Sequence, residues 1–150
     1  MKNFLELLGT EIDLLLSLTI KAVSNPTPPK CKIFVNNQCY FDNILEDMFA
    51  IKQNLSLNDP IRISIELENK QYIENQETAI VVQELNIGGV SMIPNYVGQA
   101  MYTNDHNYSD ATTYLGFNGI WELNIEPNFY MWLHRVDGKG QLLDKYSIKE

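Results

Sequence analysis

Residues 61–67 have the sequence Ile61-Arg62-Ile63-Ser64-Ile65-Glu66-Leu67, a strict alternation of apolar and polar side chains. Successive side chains of a β-strand point to opposite faces, so this stretch predicts a strand with one buried and one solvated face. Similar strand character appears at residues 12–23, 30–35, 38–41, 78–87, 90–93, 119–125 and 129–136. Turn residues such as Asn36-Asn37 and Gly88-Gly89 separate these stretches. We therefore expect an all-β, jelly-roll-like β-sandwich with at most one short helix.

Two stretches are ambiguous. Ile44, Leu45, Met48, Phe49 and Ile51 form one apolar stripe if the chain is helical there, and a loop with a short strand is the alternative. The first eight residues favour a strand over a helical turn. As a strand, that segment would be able to exchange onto a neighbouring copy, which predicts a homo-oligomer.

Composition restricts the class of protein. The chain has 150 residues, 45% of them hydrophobic, and a formal net charge of −8. This length favours one domain spanning residues 1–150. The 11 Lys and Arg residues never cluster, which argues against nucleic acid and membrane surfaces as partners. No apolar run is long enough for a bilayer span, and Glu6 and Glu11 interrupt any secretory signal.

No catalytic constellation stands out. The turn at Asn36-Asn37 places Cys31 opposite Asp42 and Cys39 opposite Phe34, too far apart for a disulfide, so we expect two buried free thiols. The two histidines lack a metal-ligand spacing, which predicts no metal site and no cofactor from the residues alone. We expect a protein that is not an enzyme, although a glycan hydrolase is the alternative that two meeting carboxylates would allow.

The long polar segment from Pro94 to Asn118 is the strongest candidate for a functional surface. A loop of this length in a compact domain is usually functional or an interface. Its aromatic side chains stand among Asn, Asp, Gly and Thr, which predicts surface contact rather than a core position. The predicted binding residues are Tyr96, Tyr102, Tyr108, Tyr114 and Phe117. By contrast, Trp121, Phe129 and Trp132 alternate within predicted strands and are expected in the core.

Residues 18–93 resemble calcium-dependent xylan-binding modules. The resemblance lies in Leu18-Thr19-Ile20-Lys21-Ala22, a proline-rich loop, and Lys32-Ile33-Phe34-Val35-Asn36-Asn37-Gln38. Residues 63–69 and 81–89 are similar to later strands of that family. The resemblance implies a jelly-roll fold, a polysaccharide ligand and calcium. The Asn-Asp pair of the family falls near Asn69-Lys70, where Lys70 is not a calcium ligand.

Residues 61–143 are similar to small uncharacterised proteins of tailed bacteriophages. The similarity lies in Tyr114-Leu115-Gly116-Phe117-Asn118-Gly119-Ile120-Trp121-Glu122-Leu123, then Pro127-x-Phe129-x-x-Trp132-x-His134 and Gly140-x-Leu142-Leu143. It implies a virion structural protein of the tail, baseplate or capsid surface, located in the virion, with other virion proteins as partners. Our leading prediction is this structural role, and a carbohydrate-binding module with a glycan partner is the alternative.

Overall fold

A computed structural model of the protein describes residues 13–136. The strands in this range are β1 (Asp13–Asn25), β2 (Lys30–Val35), β3 (Gln38–Ile44), β4 (Met48–Ser56), β5 (Ile61–Leu67), β6 (Glu77–Ile87), β7 (Val90–Ser91), β8 (Ala100–Thr103), β9 (Ser109–Asp110), β10 (Tyr114–Leu115) and β11 (Gly119–Ile125). A 3₁₀ turn at Val97–Gln99 precedes β8, and helix α1 (Phe129–Val136) follows β11. Over residues 13–136, the predicted β-sandwich with at most one short helix is confirmed.

The strands form two antiparallel sheets. One has the order β10-β6-β1-β4, with β7 paired to β6, and the other has the order β3-β2-β5-β11-β8-β9. The chain passes from one sheet to the other several times, as in jelly-roll sandwiches. In the larger sheet, β5 and β11 are central neighbours, with Ile65 opposite Trp121 and Ile63 opposite Leu123.

The core lies between the sheets and follows the alternation of the sequence. Every second residue of β5, from Ile61 to Leu67, is buried. Leu14, Leu16, Leu18 and Ile20 of β1 are buried in the same way. One apolar cluster joins the inner faces of both sheets with the buried side of α1. Burying a side chain of this size contributes about 1.5–3 kcal/mol to stability, so the alternating strands supply most of the apolar stabilisation.

The structure decides between the two alternatives for residues 44–51 and corrects the prediction for residues 129–136. The stripe from Ile44 to Ile51 is not a helix, because Met48 begins β4, which pairs along β1. The strand predicted at residues 129–136 is wrong. Asn128 caps a helix there, its Oδ1 accepting bonds from the N–H groups of Tyr130 (3.0 Å) and Met131 (3.3 Å).

The hairpin between β2 and β3 is largely as predicted. Asn36 and Asn37 have φ values of 50° and 70°, the left-handed pair that a tight hairpin turn requires. A bulge after Ile33 shifts the register, so that Cys31 lies opposite Asn43 rather than Asp42. Cys31 is buried, which raises the pKa of its thiol to about 12, but the expectation of a second buried thiol is wrong because Cys39 is exposed. Neither cysteine is in a disulfide.

Some predictions fall on residues that the structure does not describe. The expected strand at residues 1–8 and the Gly140-x-Leu142-Leu143 part of the phage similarity lie outside residues 13–136. Within that range, no helix is long and apolar enough to cross a membrane.

Candidate functional site

The outer face of the larger sheet carries an open groove of about 610 Å³. The strand register places its side chains in rows across β5, β11 and β8. Ile120 stands opposite Glu66 on one side and Thr103 on the other. In the next row Glu122 stands opposite Met101. These side chains share one face because each is two residues from the next along its strand.

The groove has an apolar floor between polar groups. Met101 and Ile120 are 43% and 42% exposed, which is unusual for large apolar side chains on a solvated strand face. Amide, hydroxyl and carboxylate groups surround them, from Glu66, Glu68, Gln99, Thr103, Asn104, Asp105, Asn118, Glu122 and Asn124. The arrangement offers hydrogen-bond donors and acceptors around a small apolar surface.

The charged lining residues of the groove are all acidic. Glu122 forms an ion pair with Arg62, with 2.6 Å between Nη2 and Oε2, and this contact lowers the pKa of the Glu122 carboxyl. Glu68 pairs with Lys30 at 3.0 Å, and the pKa of its carboxyl is lowered too. No ion pair forms to Glu66 or Asp105 within residues 13–136. The groove therefore presents net negative charge.

One wall of the groove depends on the absence of a side chain. A Cβ atom at Gly119 would lie 2.6 Å from the backbone oxygen of Thr103 and 3.2 Å from the Phe117 ring. Such distances are below van der Waals contact, so β11 can approach β8 this closely only with glycine. Nearby, the Oδ1 atom of Asn104 accepts bonds from the N–H groups of His106 (2.9 Å) and Tyr108 (3.0 Å) and fixes the loop beside the groove.

The predicted aromatic residues are only partly at the surface. Tyr102 is fully buried in β8 with its ring centroid 4.1 Å from that of Phe117, so its assignment as a surface contact is wrong. Tyr96 is half-buried and its ring lies 6.3 Å from Trp132. Tyr108 is 57% exposed and packs edge-on against half-buried Phe117. The segment from Pro94 to Asn118 does border the groove, but through Met101 and its polar residues rather than through its tyrosines.

Tyr114, in β10, belongs to a different place, the end of the sandwich where β6 begins. Its hydroxyl donates a 2.8 Å hydrogen bond to Oε2 of Glu77, and partial burial together with this carboxylate raises its pKa to about 12. The ammonium group of Lys70 contacts Oε1 of the same carboxylate. We call the residues Lys70, Tyr72, Glu77, Tyr114 and Asn118 the Lys70 cluster.

The resemblance to calcium-dependent modules would place metal ligands near Asn69 and Lys70, and these residues do not fit a calcium ion. The Oδ1 atom of Asn69 accepts from the Lys30 N–H (2.7 Å), and its amide donates to the Pro28 carbonyl (3.1 Å). The Lys70 ammonium already supplies a positive charge to Glu77. Among residues 13–136, no group of three His, Cys, Asp or Glu side chains is arranged to hold a metal ion.

The groove residues were missed by sequence reasoning, although a signal was present. In the alternating stretch from Gly119 to Ile125, Ile120 shares the outer face with Glu122 and Asn124. An apolar residue among polar ones on a solvated face indicates a contact surface. The pairing of β11 with β8, which brings Met101 beside it, has no comparable signal in the sequence.

Comparisons with known proteins give a distant likeness in fold. No family model matches the chain, and no curated protein matches it. A selenomethionine form of vCBM60, described among calcium-dependent carbohydrate-binding modules, is 14% identical, covers 73% of this chain and 89% of its own, and has a TM-score of 0.48. The vCBM60 complex with galactobiose is 15% identical, covers 74% and 99%, and has a TM-score of 0.47.

Proposed function

We propose that this protein is a non-catalytic carbohydrate-binding module whose groove holds a neutral polysaccharide. The observation that carries the proposal is the exposed apolar pair Met101 and Ile120, set among amide, hydroxyl and carboxylate groups in an open groove. A sugar ring has an apolar C–H face and a rim of hydroxyl groups. A small apolar floor with hydrogen-bonding groups around it matches both features.

Charge supports a neutral ligand. The acidic lining of the groove would repel a polymer of uronic acids or sulfated sugars, since like charges in a partly desolvated site disfavour binding. The formal net charge of −8 on the whole chain acts in the same direction. Hydroxyl groups of a neutral sugar, in contrast, are good donors to the carboxylate oxygens of Glu66 and Asp105.

The lowered pKa of the Glu122 carboxyl supports a role in binding rather than in hydrolysis. A glycoside hydrolase needs one carboxylic acid whose pKa is raised so that it can protonate the leaving oxygen. Here the bond from Arg62 lowers the pKa of Glu122, and Asn124 donates a further 3.1 Å bond to its other oxygen. Glu122 is therefore held as an ionised hydrogen-bond acceptor at neutral pH, which suits recognition of sugar hydroxyls.

The experiment is affinity electrophoresis through gels containing xylan, galactan or polygalacturonate. We expect the neutral polymers, or one of them, to slow the protein and polygalacturonate to leave it unaffected. The double variant Met101→Ala/Ile120→Ala removes the floor and should weaken binding by about tenfold or more, because two apolar contacts are lost.

Leu15→Ala is the matched control, because Leu15 is also a large exposed side chain (50%) but lies on β1 of the other sheet. It should retain full binding. A glycan array without any binding to neutral polysaccharides, or equal losses in the control and the floor variant, would refute the proposal.

The virion role stays a prediction. Its test is mass spectrometry of purified phage particles together with the oligomeric state of the isolated protein. A monomer that intact particles do not contain would refute it.

A further inference from the structure

The Lys70 cluster connects three segments of chain at one end of the sandwich. The backbone N–H of Lys70 donates to Oδ1 of Asn118 (2.7 Å), and the Asn118 amide donates back to the Lys70 carbonyl (2.9 Å). The backbone N–H of Asn118 donates to the Tyr72 hydroxyl (3.0 Å). The segment after β5, the start of β6 and the segment before β11 are thus held together by polar contacts rather than by a core.

A single cation lies at the centre of these contacts. The Lys70 side chain is only 11% exposed, while its ammonium contacts Glu77 and lies 5.8 Å from the centroid of the Tyr72 ring. Glu77 in turn accepts the Tyr114 hydroxyl and the Thr78 N–H (3.2 Å). Without a cation, the Glu77 carboxylate would lose its strongest partner, although solvent would offset part of that loss because the Glu77 side chain is 36% exposed.

A structural calcium ion stabilises loops in a comparable way, because it binds oxygen atoms from several of them at once. The side-chain oxygen of the neighbouring residue Asn69 is already used by the Lys30 N–H. We propose that the Lys70 ammonium stabilises the Lys70 cluster as a bound calcium ion would, so that the fold and its groove require no divalent metal ion. Lys70 is then a positioning residue for the groove: its backbone bonds Asn118, which lines the groove wall, and the contact of its ammonium with Glu77 fixes that stretch of backbone.

The first test uses the unmodified protein. Its thermal midpoint and its amide hydrogen exchange are measured in millimolar calcium chloride and in excess EDTA. We expect the midpoint to differ by less than about 1 °C between the two, since a ligand that does not bind the folded state cannot stabilise it. Exchange across residues 68–78 and 112–118 should also be the same in both buffers.

The second test is Lys70→Met, which keeps the length and most of the packing of the side chain but removes the charge. We expect the midpoint to fall by about 2–4 °C, because Glu77 loses its cation. The amides of Lys70 and Asn118 should exchange faster, whereas those near Asn36 and Asn37, in the hairpin between β2 and β3, should not change. Global destabilisation alone would not produce that local pattern.

Lys32→Met is the matched control, because Lys32 also pairs with a glutamate, Glu68, but at 3.8 Å and with a side chain that is 32% exposed. It should change the midpoint by less than about 1 °C. If Lys70→Met does not fold, Glu77→Gln tests the same pair from the other side and should loosen the same amides.

Two results would overturn the proposal. One is a lower thermal midpoint, or faster amide exchange at residues 68–78 and 112–118, in EDTA than in calcium chloride. That result would show that a divalent ion stabilises this end of the sandwich. The other is unchanged exchange at residues 68–78 and 112–118 in the folded Lys70→Met or Glu77→Gln variant. Neither readout uses a glycan, so failure of the proposed function leaves this test intact.

Discussion

Strands β5 and β11 together have fourteen residues, and alternate residues form two faces that differ in burial, polarity and charge. On the inner face Ile63, Ile65 and Leu123 are at most 2% exposed. On the outer face Arg62 and Glu122 pair across the strands in water-accessible positions. The inner face is fixed by packing, where each methylene group contributes to stability, and the outer face by hydrogen bonds and charge. Stability and recognition should therefore be separable by substitution on alternate residues.

The largest expected effect tests this separation directly. Ile65→Ala removes a fully buried side chain from β5 and should lower the free energy of unfolding by about 2–5 kcal/mol, from lost burial and the cavity that remains. Urea denaturation followed by tryptophan fluorescence measures the change.

Ser64→Ala is the control on the adjacent, outward position of the same strand. It should change the free energy of unfolding by less than about 0.5 kcal/mol. Equal effects from the two substitutions would mean that the two faces are not energetically distinct.

The alternation that separates the faces is also what made the fold predictable. Residues 61–67 and 119–125 show a period of two, and both form strands with the buried face that the pattern indicates. The pair Gly88-Gly89 predicts a tight turn because glycine adopts positive φ without strain. In the structure the two residues have φ values of 56° and 83°.

The helix at the C-terminal end shows why prediction failed there. Phe129, Trp132, Leu133 and Val136 have the spacing of a helical face, and Asn128 is a favourable cap. The alternation of Tyr130, Trp132 and His134 suggested a strand instead, and an eight-residue segment fits both periods. Burial of Phe129, Trp132 and Leu133 against the core decides between them, and that is a tertiary effect.

The site was harder to predict than the fold. The sequence predicts surface contact for Tyr102 because the residue lies in a long loop-like segment, yet its side chain fills the core beside Phe117. The groove combines residues from β5, β8 and β11, which become neighbours only through the strand order. A pattern within one strand cannot contain that information.

A smaller effect is expected at Gly119 of β11, where any side chain would collide with the backbone of the neighbouring strand β8. Gly119→Ala places a methyl group 2.6 Å from the Thr103 oxygen, so β8 and β11 must separate, which should destabilise the protein by about 1–3 kcal/mol. The same change should weaken polysaccharide binding, since it moves the groove wall. Gly98→Ala is the control, because no atom lies within 4 Å of the new Cβ. Similar losses in both variants would contradict the role of the close approach.

The smallest effect concerns the ion pair on the outer face. The bond from Arg62 lowers the pKa of Glu122 in the folded protein below its unfolded value. The pair therefore contributes to stability above the unfolded pKa of about 4.3, and this contribution is lost as the pH falls through the lower, folded pKa. Because Arg62 is 58% exposed, solvent screens the pair and its contribution should be about 0.5 kcal/mol.

Glu122→Gln should remove this part of the pH dependence, so the stability difference between wild type and variant is full at neutral pH and smaller near pH 3, a value about one unit below the unfolded pKa. Urea midpoints at the two pH values measure it. Glu84→Gln is the control, because Glu84 accepts a 3.0 Å bond from the neutral amide of Asn86 instead of a cation. A difference for Glu122→Gln that grows at low pH would reverse the sign required by the ion pair. It would also show that the outer face stabilises the fold by something other than charge.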